Sequence, residues 1–269
     1  MPVDRAQAVH RPRRLVPAPL GKGASLLGPC LLLVAWELAA QLGWLSPKVL
    51  APPSTALTTG YRLLADGVLW PHLLASARRA LSGLAIGVAL GLVLALVAGL
   101  TRLGDALIDG VVQIKRAIPT LSLIPLAILW LGIGDGMKIT LIAGGVCLPV
   151  YLGTHAALKG IDLRYVELAH TLDLDRWTFI RKVAVPGALP GFFVGLRFAV
   201  TICWGALVVL EQINTTQGIG YLMNRARDYG QTDVIVVGLV TYMVLGLVCD
   251  RLVRVVEYRV LRYRKVIGS

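Results

Sequence analysis

Charge is scarce in this chain, and negative charge is scarcer. Asp and Glu number 15 against 27 Lys and Arg, and charged residues are 16% of 269. A soluble domain carries about a quarter. Cysteine and histidine are nearly absent too. Cys30, Cys147, Cys203 and Cys249 all fall in apolar stretches without close pairing, and read as small apolar core residues rather than a disulfide framework or zinc box. His10, His72, His155 and His170 are scattered, and no metal box can be drawn from them. No nucleophile–base arrangement appears, and no nucleotide loop. Gly21-Lys22-Gly23 lacks a glycine five residues earlier and sits in a polar tail. The chain is therefore read as a non-enzyme that needs no metal and no cofactor of its own.

Apolar length fills the place of these absences. The chain is 56% hydrophobic, with mean hydropathy +0.72. That excludes a soluble domain and predicts an all-α polytopic membrane protein. The +12 net charge would suggest nucleic acid in a soluble protein. Here it gathers at the ends and in loops, which points to lipid and orientation, with no nucleic-acid partner.

Six spans are predicted, near 25–45, 75–100, 106–131, 137–158, 189–213 and 233–256. The domain reading is a basic tail 1–24, a first span 25–45 and an extracytoplasmic connection 46–71. A five-helix core 72–257 with a polar loop 159–186 follows, then a basic tail 258–269. The first span reads as an uncleaved anchor rather than a signal peptide, because its apolar run is long. Ser54 is a candidate cap for a short helix after it. The tails, the Arg102 turn and the 159–186 loop hold seventeen Lys and Arg against five in the opposite loops, or seven with Arg78 and Arg79. The tails and the polar loop are thus expected on the cytoplasmic side.

Within the spans, Gly83, Gly87, Gly91, Ala95 and Gly99 make a row of small residues that lets another helix come close. Pro119 and Pro125 break the third span just after Lys115 and Arg116. Arg197 falls mid-span. Burying it costs about 2.5–3.5 kcal/mol on insertion scales, so it pairs, faces a cavity, or both. Two readings stand: a structural pair, with an acid or with carbonyls freed by the prolines, or an anion attractor on a translocation path. Lys115 and Arg116 are weighed likewise, against snorkelling. Trp204 reads as packing beside a path. Glu37 and Glu211 sit near span ends, Glu211 at the interface.

The polar loop is organised around 167–190. Val166, Ala169 and Leu172 share helical spacing, and Leu172-Asp173-Leu174 is a bend. Asp175 caps a second helix carrying Trp177, Ile180 and Ala184, and Pro186 stops it. Such a shape is either an amphipathic loop lying on the bilayer or a feature that another protein grips.

Its spacing resembles the cytoplasmic EAA loop of ABC importer permeases, on Glu167, Ala169 and Pro186, with Val183 and Val185 as conservative replacements. Asp173 stands where that family has Gly; Asp reaches the left-handed region more easily than most residues. Further segments resemble the aliphatic-sulfonate permeases and their taurine, nitrate and bicarbonate relatives. They include Ala35-Trp36-Glu37-Leu38-Ala39, Pro52-Pro53-Ser54, Ile124-Pro125-Leu126, Gly132-Ile133-Gly134 and Gly218-Ile219-Gly220-Tyr221-Leu222.

The resemblance implies a type I ABC importer permease fold in a bacterial inner membrane. It implies a homodimer with two cytoplasmic ATPase subunits, which would hold ATP and magnesium, and a separate extracytoplasmic binding protein. Glu167, Ala169, Leu172, Asp173, Asp175, Val183 and Pro186 would couple ATPase motion to the spans. Arg197, Arg116, Lys115 and Trp204 are the candidate path residues. The rival classes are an ion-coupled carrier, which would show internal repeats and intramembrane acids, and a membrane enzyme.

Overall fold

The computed structural model describes residues 24–213 and 215–263, and among these every regular element is helical. The basic tail 1–24 lies outside them except for its last residue, as do residues 264–269 of the second tail. The elements are α1 (Ala24–Gln41), α2 (Pro53–Ala65), α3 (Leu69–Leu100), α4 (Arg102–Ala117), α5 (Ile124–Leu131) and α6 (Asp135–Lys159). After the polar loop's first helix, α7 (Leu163–Thr171), come α8 (Arg176–Glu211), α9 (Ile219–Asp228) and α10 (Thr232–Val260).

Helices α3, α6, α8 and α10 are each long and apolar enough to cross a bilayer. The expected third span is instead a pair, α4 and Thr120–Leu131, bent by 88°. The break falls at Ile118-Pro119, whereas Pro125 lies in the first turn of α5 and does not break it. At that position proline's missing N–H would have had no helical partner anyway. The described apolar part of α1, Leu27–Gln41, is shorter than the four full spans. Few of its side chains are covered by the rest of the chain, so Cys30 is exposed rather than part of a core.

Helix α6 is the axis of the bundle. Met137, Ile142, Val146 and Val150 on it are fully buried in the main apolar cluster. The small-residue row of α3 packs on it within the same chain. A Cβ on Gly87 would lie 2.6 Å from the Ala143 carbonyl, and one on Gly91 2.6 Å from that of Cys147. On the opposite flank, Gly153 of α6 meets Gly191 and Gly195 of α8; a Cβ on Gly191 would lie 2.3 Å from the Gly153 carbonyl. Both neighbours of α6 are thus close enough to require glycine at the contact.

At the end away from the polar loop, Thr59 of α2 donates to Asp233 at 2.7 Å, and Thr232 donates to the Pro47 carbonyl at 2.6 Å. Ser54 is not the cap of α2. It stands inside the first turn, and its N–H and hydroxyl donate to Glu37 of α1 at 3.0 and 2.8 Å. A carboxylate from another helix does the capping, favoured by the partial positive charge of the helix start. Lys138, one of the five cations counted in the opposite loops, is buried in the first turns of α6.

Candidate functional site

The polar loop folds as a helix, a tight reversal and a second helix. Asp162 caps α7, accepting from the Arg164 N–H at 3.0 Å. The chain then reverses at Asp173, the one non-glycine residue with positive φ, 50°, among the described residues. Leu174 N–H donates to the Ala169 carbonyl at 2.9 Å and Asp173 N–H to that of His170 at 3.1 Å. These are the two bonds of a Schellman closure, which calls for a left-handed residue at its turn. Asp175 then caps α8. It accepts from the Thr178 N–H at 3.1 Å and the Thr178 hydroxyl at 2.6 Å. Those bonds hold its carboxyl below the usual aspartate range. A lowered folded value means this contribution is complete above about pH 4 and fades as pH falls through the folded pKa.

Pro186 does not end the second helix. The backbone widens into a π turn at Ile180–Ala184 and continues through Pro186 to Glu211. Proline lacks an N–H and clashes with the carbonyl one turn back. A π turn ahead of it loosens that contact, so the helix survives. Of the apolar residues that the second helix carries, Trp177 is exposed and Ala184 is buried.

The loop is tied to the bundle but open on its outer side. Arg176 donates to the Leu100 carbonyl at the end of α3, at 2.9 Å. Ala169 is buried, whereas Glu167 is exposed and accepts at its carbonyl from the Thr171 hydroxyl at 2.9 Å. Val183 and Pro186 are half-buried in a groove of about 450 Å³ shared with Tyr165. Leu163, Leu168, Leu172 and Trp177 are all more than half exposed. Next to the loop, a π turn at Asp105–Asp109 of α4 carries two acids onto the end of α6. Asp105 meets His155 at 3.0 Å and Lys159 at 2.8 Å, and Tyr151 donates to Asp109 at 3.1 Å.

Of the four candidate path residues, the structure brings two together. Arg197 and Trp204, two turns apart on α8, face a groove of about 630 Å³ against α10. Arg197 Nε lies 3.5 Å from Asp250, which also accepts from Arg254 at 2.7 Å. Trp204 is buried and meets Tyr242 edge-on at 6.4 Å. Lys115 lies elsewhere. It does not snorkel but donates to the Gly144 carbonyl of α6 at 2.6 Å and to Thr120 at 3.3 Å, bracing the bent pair. Arg116 is exposed.

Glu211 does not merely meet the interface. It is fully buried and gathers Ser76 (2.7 and 2.9 Å), Arg79 (2.7 Å), the Gly220 N–H (3.0 Å) and Tyr242 (2.7 Å). Arg79 also pairs with Asp135 at 2.7 Å and donates to the Gln217 carbonyl. Gly218, at φ 131°, has no room for a side chain, since a Cβ would lie 2.6 Å from the Glu211 carboxylate. The sequence pattern did not bring Asp250 to Arg197, or Ser76, Arg79 and Tyr242 to Glu211. The available signal for Asp250 was an acid inside an apolar run.

A family profile described as "Binding-protein-dependent transport system inner membrane component" matches residues 87–262. The chain is 43% identical over 235 residues to the Escherichia coli K12 aliphatic sulfonates transport permease protein SsuC, covering 87% of this chain and 89% of that one. It is 30% identical over 233 residues to the taurine transport system permease protein TauC of the same organism, covering 85% of each. Among solved structures, "an amino acid ABC transporter with histidines" superposes with a TM-score of 0.60 at 16% identity. It covers 73% of this chain and 98% of that one, a likeness of fold.

Proposed function

Because this chain belongs to the family of binding-protein-dependent transport system inner membrane components, we propose that it is the translocating subunit of an ATP-driven importer of aliphatic sulfonates. Its working partners are a second copy of itself, two ATPase subunits that bind ATP and magnesium, and an extracytoplasmic binding protein. The excess of Lys and Arg in the tails and polar loop supports a cytoplasmic position for both.

One observation carries the reading. The elbow from α7 into α8 is fixed from within by the Asp173 turn, the Asp175 cap and the Arg176 tether, yet presents Leu172 and Trp177 outward. A rigid polar knuckle with bare apolar side chains suits a partner's groove and serves little purpose in water. Closure of the ATPases on this knuckle would move α8 and with it the spans. The groove holding Arg197 and Trp204 supplies the candidate path, while Lys115 braces the bent pair through Thr120 and the Gly144 carbonyl.

Sulfonate is favoured by the similarity to SsuC; taurine, nitrate and bicarbonate are the competing cargoes in the same class. The test is reconstitution in proteoliposomes with the partner ATPase and binding protein. Glu167→Ala, or Asp173→Pro, which cannot hold positive φ, is expected to cut uptake at least tenfold with unchanged permease in the membrane. Full uptake in both variants would end the coupling assignment. Uptake without any ATPase would replace it with an ion-coupled carrier.

A further inference from the structure

The groove between α8 and α10 combines features that single out one kind of occupant. Its charged floor holds Arg197, Asp250 and Arg254, one net positive charge. Asp250 is closer to Arg254, at 2.7 Å, than to Arg197, at 3.5 Å. A guanidinium has five N–H donors, so Arg197 keeps most of its donors for a ligand. Above that floor the wall is apolar: Trp204, Phe198, Met243 and Leu247. The volume of about 630 Å³ suits a small organic molecule.

We propose that this groove is a transit site for an organic monoanion with an unbranched apolar tail, in which the anionic head takes Arg197 from Asp250 and the tail lies along Trp204. The proposal rests on the importer reading and adds to it where selectivity inside the membrane resides. Arg197 contacts the cargo. Asp250 is its resting counter-ion, keeping the empty groove from holding an unpaired cation within the span and making cargo release favourable. A bare inorganic anion would satisfy the floor and leave the wall wet, so the groove favours alkyl anions over sulfate.

The test uses the purified full chain in phosphatidylcholine nanodiscs and follows the tryptophan fluorescence that Trp204→Phe removes. Hexanesulfonate is expected to change that signal, and affinity to rise about fourfold per methylene from ethane- to hexanesulfonate, as burial of each CH₂ dictates. Sulfate at the same concentration is expected to give no change. Arg197→Gln should weaken hexanesulfonate binding at least tenfold and Arg197→Lys less. Asp250→Asn, which removes the competing anion, should tighten it. The proposal is overturned if Asp250→Asn weakens binding as much as Arg197→Gln, which makes the pair structural. It is overturned equally if affinity ignores chain length, or if phosphatidylglycerol gives the signal and hexanesulfonate does not. ATP-driven uptake by the assembled complex separates this from the parent reading. Full uptake with unchanged KM in Arg197→Gln removes the transit site alone. Absence of uptake in the unmodified complex strikes the importer reading and leaves the binding result standing.

Discussion

Glu211 offers one carboxylate to donors from α3, α9 and α10. With the half-buried Asp135 it balances Arg79 and Lys138, which like Glu211 itself are buried. Removing one partner of such a buried set costs about 3–5 kcal/mol, because a charge is left uncompensated. Glu211→Gln is therefore expected to lower the Tm in detergent by several degrees or more. Arg78→Gln should barely move it, since Arg78 meets Asp135 from an exposed position and such pairs contribute about 0–1 kcal/mol. At Asp173 the expectation runs the other way. Asp173→Gly should preserve or tighten the elbow, because glycine reaches φ 50° freely. Asp173→Val should cost about 1–2 kcal/mol, seen as faster amide exchange over 163–180. Asp173 and Asp175 were readable in the sequence because a turn and a cap are local events. Glu211 was not, since Ser76, Arg79 and Tyr242 lie 135, 132 and 31 residues away along the chain.

At the scale of elements, glycine decides how α6 is held. On its α3 flank the fourfold row was visible in the sequence, although its partner was not. On its α8 flank, Gly191 and Gly195 form a shorter pair, and Gly153 opposite is separated from them by the whole polar loop. Gly144 provides the control, for a Cβ there meets nothing within 4 Å. Gly191→Ala is expected to force the two helices apart at about 1–3 kcal/mol, reducing Tm and yield. Gly144→Ala should be neutral or slightly stabilising, and equal Tm values for the two would show that the close approach is dispensable. The same scale explains the misplacement of Pro186. A proline after a polar run normally marks a helix end, and the π turn that spares this helix leaves no signature in residue type.

Across the whole molecule, apolar length and charge placement made the class legible, and two short motifs located the elbow. What joins the elbow to the opposite end was hidden in the continuity of α8. It was hidden also in long-range contacts such as Arg176 with Leu100 and Asp105 with His155. These pin the elbow to α3 and brace α4 against α6, so the elbow cannot shift without carrying the bundle's lower rim.

Helix α8 counts 36 residues, about 54 Å at 1.5 Å per residue. One stiff crowbar therefore has its handle at Trp177 and its tip at Glu211, with the glycine contact to α6 as fulcrum. A shove on the handle reaches the tip as a swing, because the helix runs on unbroken through the π turn and Pro186. Spin labels at Thr178 and Gln212, one near each tip, should keep their separation between nucleotide-free and ATP-trapped complexes, while a label pair joining Gln212 to α10 changes. A shortening of the first distance would mean that the bar folds instead of swinging.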